Sequence, residues 1–539
     1  MPPRIAQLAL WSGVIAIFGS AAWLRLRLPL TPFVDPDTWG YLSPAISKLS
    51  GLGFTHLLRN YFYPAFLYLI LRVFGDFRAI SVVQHLLGLA AGGILLAIWR
   101  RIYCFTSEPR LPPALHFAIG LCLAFTYLSA SEPTRFESGL RPEGVASFLI
   151  IINIFFIVEF WYRCFIQPKP DLPAMLGVLS VVSSIAVVLA KPSFAIAATG
   201  ALLPVITALF CNFSPRRKLV LIGVCAPAAV LMILPAQLPT RADPANQEFL
   251  PTQLFVIHAD VICDQMAKDV QNDTVGPYRR DWLRKIQQLL TAELAEAKRT
   301  GYHWRVLGFD ANYLMYDDTS IVAKVRKEFG GDRKQIRKFY WYLYVRAWLC
   351  QPGRMAAKVA REMLVFYSRT CPAYTDKKHR WVSEEYRRSL VAIQEAHWLG
   401  HAWFDFGPFR RLLEETASLA SSDLVLNIPR FVRGWNWLLA ITYLPATLMA
   451  GIGAAVTLAN HKLRHRFGAI AGLVLLLCWY NFGANLEVAI VHSLDDPRYK
   501  TVQLISTVLA QGVMFLLIGN LLSWAISPLR KTWCCGRSS

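Results

Sequence analysis

Residues 141–162 read RPEG followed by VASFLIIINIFFIVEFWY. Arg141 and Glu143 open a mainly apolar run close to the ~20 residues that an α-helix needs to cross a bilayer. Comparable runs recur at 5–24, 79–99, 113–130, 174–190, 193–211, 219–238, 435–458, 467–486 and 502–522. Of the 539 residues, 55% are hydrophobic and 17% charged, and apolar blocks of bilayer length are a membrane signature rather than a soluble one. The pattern predicts an all-α polytopic membrane protein with about ten transmembrane helices. A further stretch, 61–74, contains Pro64 and Arg72 and is short; it suits an interfacial or re-entrant helix better than a span. The run 5–24 follows Arg4 and precedes Arg25 and Arg27, and reads as an uncleaved first span rather than a signal peptide.

Lys and Arg number 56 against 35 Asp and Glu, a net charge of +21. Much of the excess sits in short loops beside apolar blocks, which points to topology and anionic lipid contact. No zinc-finger spacing or basic helix argues for nucleic acid. With the N-terminus cytoplasmic and 61–74 not crossing, the inside loops hold Arg100 and Arg101; Arg163 and Lys169; Arg216, Arg217 and Lys218; Lys462, Arg464 and Arg466; and Arg530 and Lys531. Were 61–74 to cross, every later cluster would lie outside, against the positive-inside rule. Arg25, Arg27, Lys48 and Arg59 run against this arrangement.

The outside face then carries a first loop of about 25–78, a short loop at 131–144, a large insert and a last loop at 487–500. Three units follow: an N-terminal transmembrane module 1–238, a soluble and mostly helical insert 239–433, and a C-terminal transmembrane module 434–539. Within the insert, Trp282 to Lys298 places Leu283, Ile286, Leu289, Leu290 and Leu294 on one stripe of a helix. Segments 334–349 and 354–368 read as helices broken at Pro352-Gly353. The run from Phe339 to Trp348 is dense in aromatic side chains, fitting helical core packing, a sugar-stacking surface or the membrane interface. Cys263, Cys350 and Cys371 are either free or, in an oxidising compartment, two of them are paired. His258, Asp260 and Asp264 form no recognised metal spacing.

Candidate chemistry lies in the outside loops. Val34-Asp35-Pro36-Asp37-Thr38 presents two carboxylates just beyond the first span, suited to accept a proton or to hold a divalent cation against a phosphate. Asp and Pro are also ordinary turn residues. Arg141 and Glu143 sit at the mouth of a span, where charges face either a cavity or water. Lys191-Pro192 follows the span 174–190, and Lys191 reads as a phosphate ligand or a snorkelling side chain. In Asp495-Asp496-Pro497-Arg498-Tyr499-Lys500, Arg498 can grip a phosphodiester through its planar fork or anchor the interface with Tyr499. No Walker A loop, GxSxG elbow or HExxH motif is present.

The order of these features resembles the GT-C superfamily of membrane glycosyltransferases, which includes protein O-mannosyltransferases, aminoarabinose transferases and arabinofuranosyltransferases. Pro36-Asp37 to Tyr41 and then Tyr63-Pro64 are similar to the family's first-loop Asp and juxtamembrane helix. Arg78 matches an Arg opening the second span, and Glu143 an acid opening the fourth. Ser138-Gly139-Leu140 ahead of Glu143 looks like a motif of the arabinofuranosyl branch. Lys191-Pro192 and Arg498-Tyr499 complete the pattern. The resemblance covers about 1–238 and 435–522. It departs from the family in splitting the carboxylates with Pro36 and in carrying Glu at 143 where many relatives have Asp.

The resemblance implies an inverting glycosyltransferase, a hexosyl- or pentosyltransferase. Its donor would be a polyprenyl-phosphate-linked sugar and its acceptor a glycan, lipid or protein hydroxyl. Asp37 or Asp35 would act as base, with Arg498, Lys191, Arg141 and Tyr499 at the donor phosphate. A divalent cation (Mg, Mn or Ca) would sit at Glu143 and Asp37. The setting implied is a bacterial inner membrane among membrane lipids, with the site facing the periplasm. The rival readings are a lipid or solute transporter and an O-antigen ligase or polymerase. The first would favour charges within paired spans and internal repeats; the early place of Asp37 weighs against the second.

Overall fold

The computed structural model describes all residues except 1–2, 55–59, 107–110, 168–171, 211–213, 243, 303, 370, 376, 396–406 and 536–539. Arg59 and Lys169 lie outside the described residues. The N-terminal part runs α1 (Pro3–Leu26), α2 (Trp39–Leu49), α3 (Phe62–Phe74), α4 (Arg78–Ile102), α5 (Pro113–Leu128), α6 (Ser131–Glu137), α7 (Glu143–Trp161), α8 (Leu172–Ala190), α9 (Leu203–Phe210) and α10 (Pro215–Ala242). The middle part contains α11 (Pro244–Ile257), α12 (Ala259–Gln271), α13 (Arg280–Thr300), α14 (Ala311–Tyr316), α15 (Ile321–Glu328), α16 (Arg333–Cys350), α17 (Pro352–Phe366), α18 (Val382–Glu395) and α19 (Gly407–Ala420). Two short antiparallel strands, β1 (His379–Trp381) and β2 (Val425–Asn427), flank its last two helices. The chain closes with α20 (Arg430–Ala459), α21 (His461–Val491), α22 (Pro497–Thr501) and α23 (Leu504–Cys535).

Among the described residues, five helices are long and apolar enough to cross a membrane: Arg78–Phe105, Glu143–Ile166, Arg430–Ala459, His461–Val491 and Leu504–Ile526. A sixth results if α5 and α6, bent by 56° at their junction, count as one. These coincide with six of the ten expected spans. The other four are not established as crossings. In α1 and α8 the apolar segments with described side chains, Leu10–Leu26 and Ala174–Ala190, are shorter than a span. The stretch 193–211 is not one helix: 3-10 turns at Pro192–Phe194 and Ala197–Leu202 precede α9. Pro192 explains the break after α8, because its ring leaves no N–H to continue the ladder. The fourth lies in α10, where the side chains of 232–242 are outside the description. Segment 61–74 forms α3, 13 residues long, ended by Gly75 at φ 63°, a left-handed stop that favours glycine.

The main core joins α4, α5, α7, α20, α21 and α23 through residues such as Trp99, Tyr127, Ile154, Phe467 and Leu509. A second core lies between α11, α12, α13 and α16. There α13 buries Leu283, Ile286, Leu290 and Leu294, the stripe expected from sequence. The middle part does not stand clear of the membrane helices. Phe366, Cys371 and Tyr374 pack within the main core, and the Tyr374 hydroxyl donates to Gln511 Oε1 at 2.5 Å. Cys263, Cys350 and Cys371 are all free, so the disulfide alternative is not realised.

Candidate functional site

The first loop and the loop before α7 are stitched together by main chain. Phe33 N–H donates to Ser138 O at 2.7 Å, and Leu140 N–H donates to Phe33 O at 2.9 Å. This is a parallel bridge between Phe33 and Gly139. In a parallel pair, residues at equal offsets lie side by side, and every second residue returns to the same face. Two steps on from the bridge are Asp35 and Arg141, and they meet: Arg141 Nε pairs with Asp35 Oδ2. The same guanidinium reaches Asp37 Oδ2 through Nη2.

The two carboxylates have different work. Asp35 Oδ1 accepts the backbone N–H of Asp37 at 2.8 Å and of Thr38 at 3.1 Å. It thus closes the turn that leads into α2. Burial, together with Asp37 and Glu143, pushes its carboxyl above the usual range, although Arg141 opposes the shift. Asp37 meets a second guanidinium besides Arg141: Arg498 Nη1 lies 2.8 Å from its Oδ2.

Arg498 comes from the far end of the sequence. Asp496 caps α22 by accepting the Arg498 N–H at 3.1 Å, and its carboxylate lies 2.8 Å from Arg498 Nε. Arg498 Nη2 donates to the Tyr499 hydroxyl at 3.2 Å. The Arg498 guanidinium sits 4.9 Å from the Tyr499 ring centre and Lys191 Nζ 4.7 Å from it, within cation–π range. His492 stacks against the same ring at 4.6 Å. Burial acts against the charge of Arg498, but Tyr499, Asp496, Glu143 and Asp37 outweigh it and raise its pKa. Burial also raises the phenol of Tyr499.

Lys191 Nζ lies 2.5 Å from Glu143 Oε1, and both side chains are buried. Glu143 is the first residue of α7, where the positive end of the helix favours a carboxylate. Removing either partner would strand a buried charge, at a cost of ~3–5 kcal/mol. The structure therefore brings Asp35, Asp37, Arg141, Glu143, Lys191, Arg498 and Tyr499 into one cluster. Arg78 is not among them: it pairs with Glu415 of α19 at 2.5 Å.

Sequence reasoning did not find the support behind this cluster. The Tyr63 hydroxyl donates to Gln84 Oε1 at 3.0 Å, and Gln84 Nε2 donates to the carbonyls of Glu137 at 2.8 Å and Gly139 at 2.9 Å. Glu137 accepts from Arg25 Nε and Nη2, each at 2.7 Å, and its Oε2 lies 2.9 Å from His85 Nδ1. The middle part grips both the first and the last loop. The Tyr386 hydroxyl donates to Thr31 O at 2.6 Å, and Val34 N–H donates to Ser389 Oγ at 3.0 Å. Asp495 accepts the N–H groups of Val306 at 3.1 Å and Leu307 at 2.9 Å.

The donor set does not fit a divalent cation. Glu143 is engaged by Lys191, and Asp37 by Arg141 and Arg498. Among the described residues no group of three or more His, Cys, Asp or Glu is placed to hold a metal ion. His258, Asp260 and Asp264 also have structural partners: the Ile490 carbonyl at 2.9 Å, Lys358, and Arg354 at 2.7 Å.

Fold and composition define an all-α membrane protein. No protein-family model and no curated protein matches the chain. Among solved structures, the Archaeoglobus fulgidus oligosaccharyltransferase in complex with zinc and sulfate aligns at 13% identity and a TM-score of 0.28, covering 80% of this chain and 55% of its own. The chain thus spans about half the length of that protein, and at that TM-score the likeness bears on neither fold nor chemistry.

Proposed function

We propose that the protein is an inverting glycosyltransferase that takes its sugar from a polyprenyl-phosphate donor on the outer side of the membrane. The observation that carries this reading is Asp37 held between Arg141 and Arg498, with Lys191 and Tyr499 beside them. The order of motifs shared with GT-C glycosyltransferases supports it.

The acceptor hydroxyl attacks the anomeric carbon as the bond from that carbon to the phosphate oxygen breaks. The hydroxyl proton passes to Asp37, and the polyprenyl phosphate leaves with its bonding electrons and an added negative charge. Arg498, Arg141 and Lys191 are the cations available to stabilise that charge, and a phosphate near membrane depth needs such neutralisation. Asp37 is a weak base while two guanidinium groups hold it. A donor phosphate competes for those groups and releases the carboxylate, so donor binding and base activation are coupled.

The test is transfer from polyprenyl-phosphate sugars by the full-length protein in lipid. Asp37→Asn keeps the shape and loses the basicity, so turnover is expected to fall by roughly 10² or more. Normal transfer by this variant would refute the assignment of the base.

A further inference from the structure

α16 is apolar on two opposite sides. One side, with Ile336, Phe339, Tyr340, Leu343 and Ala347, is buried in the second core. On the other, Trp341, Val345 and Leu349 are 37%, 46% and 75% exposed. These three repeat every four residues, so they form one row along the helix. Exposed Lys334 and Lys338 extend the same face of the helix toward the N-terminus.

The position of α16 indicates what this row faces. α11 follows α10 after a single residue and ends at His258, whose Nε2 lies 2.9 Å from Ile490 O at the end of the membrane helix α21. α11 thus leads from α10 to the end of α21. α16 lies beside α11 in the same direction, with Arg337 at Gln247, Tyr340 stacked on Phe255 at 4.6 Å and Tyr344 5.4 Å from His258. Trp348 joins Val359 and Met363 in a cluster with Leu486, Ala489 and Ile490 of α21. Below Leu486, in the same helical row of the candidate span α21, Leu475, Trp479 and Phe482 are exposed, and apolar side chains exposed on a spanning helix face lipid. The outer row of α16 thus begins where the lipid-facing row of α21 ends.

We infer that Trp341, Val345 and Leu349 of α16 dock into the membrane leaflet on the insert side, with Lys334 and Lys338 at lipid phosphates. An aromatic and aliphatic row continued by lysines is the composition of an interfacial helix. Phospholipid accounts for both halves of the row, since lysine stems reach up to headgroup phosphates while the apolar side chains enter the acyl boundary. The inference does not depend on the chemistry of the Asp37 site.

The experiment uses the whole chain with Cys104, Cys122, Cys211, Cys350, Cys478, Cys534 and Cys535 replaced by serine, leaving the buried Cys164, Cys225, Cys263 and Cys371. A single cysteine is introduced as Val345→Cys or Leu349→Cys, and as Gln288→Cys on the exposed side of α13 for comparison. Each protein is labelled with an environment-sensitive nitrobenzoxadiazole dye. It is then reconstituted in phosphatidylcholine and phosphatidylglycerol vesicles, with and without doxyl-labelled lipid. At 345 and 349 the dye should emit to the blue and lose most of its intensity to the doxyl lipid, while 288 does neither. Dyes at 345 and 349 that behave like 288 would overturn the inference. Shielding that occurs only in native membranes would overturn it too, and would assign the row to a protein partner.

Discussion

At the scale of single residues, Asp35 and Asp37 look interchangeable in sequence, and the structure separates them. One oxygen of Asp35 is spent on two backbone N–H groups and the other on Arg141. Asp37 instead meets the arginines of two different loops. Asp35→Asn retains an oxygen able to close the turn, so transfer should fall much less than in Asp37→Asn; a larger loss in Asp35→Asn would exchange their roles. The seven clustered residues stand out in the sequence as charged or aromatic side chains in loops between apolar blocks. The supporting bonds of Tyr63, Gln84 and Glu137 do not. Tyr63 and Gln84 lie inside helices, and what singles all three out is hydrogen bonding to chain 21 to 112 residues away.

At the scale of elements, helix periodicity marked α13, α16 and α17, whereas α8 and the 3-10 turns after it read as two long spans. Hydropathy alone does not register a chain that stays apolar while Pro192 breaks the helix. The contact between α17 and the last loop was also hidden. Glu362 of α17 accepts Leu494 N–H at 3.0 Å and Ser493 Oγ–H at 3.1 Å, while its Oε1 has no hydrogen-bond partner among the described residues. Burial and the neighbouring Asp495 push its carboxyl up to about 7, against the pull of these hydrogen bonds and of Lys358. The folded chain therefore keeps a proton that the unfolded chain gives up from about 4.5. The stability this contributes is complete below the unfolded value and is lost as pH rises through 7. Melting temperature is expected to fall between about pH 5 and pH 8, and Glu362→Gln should flatten that slope. An unchanged slope in the variant would show that another group titrates.

At the scale of the whole molecule, membrane class follows from block length and composition, but the joining of distant loops does not. Asp37 and Arg498 are 461 residues apart in sequence and 2.8 Å apart in space. The middle part holds both loops, the first through Tyr386 and Ser389 and the last through the backbone N–H groups of Val306 and Leu307 on Asp495. Loop charges predict that this part lies on the face opposite the N-terminus. Tag fusions after residues 105 and 300 should therefore report opposite sides, and a shared side would reverse the topology. The central claim is that one donor phosphate binds where these loops meet. Its most direct measurement is the affinity of the full-length protein for a polyprenyl phosphate, taken beside the melting temperatures of the Arg498 variants. Arg498→Ala should weaken binding about tenfold or more, the worth of one charged hydrogen-bonding group. Arg498→Lys should keep part of the attraction without the two-pronged grip, and both should melt near the unaltered protein. Undiminished affinity in Arg498→Ala would contradict the account.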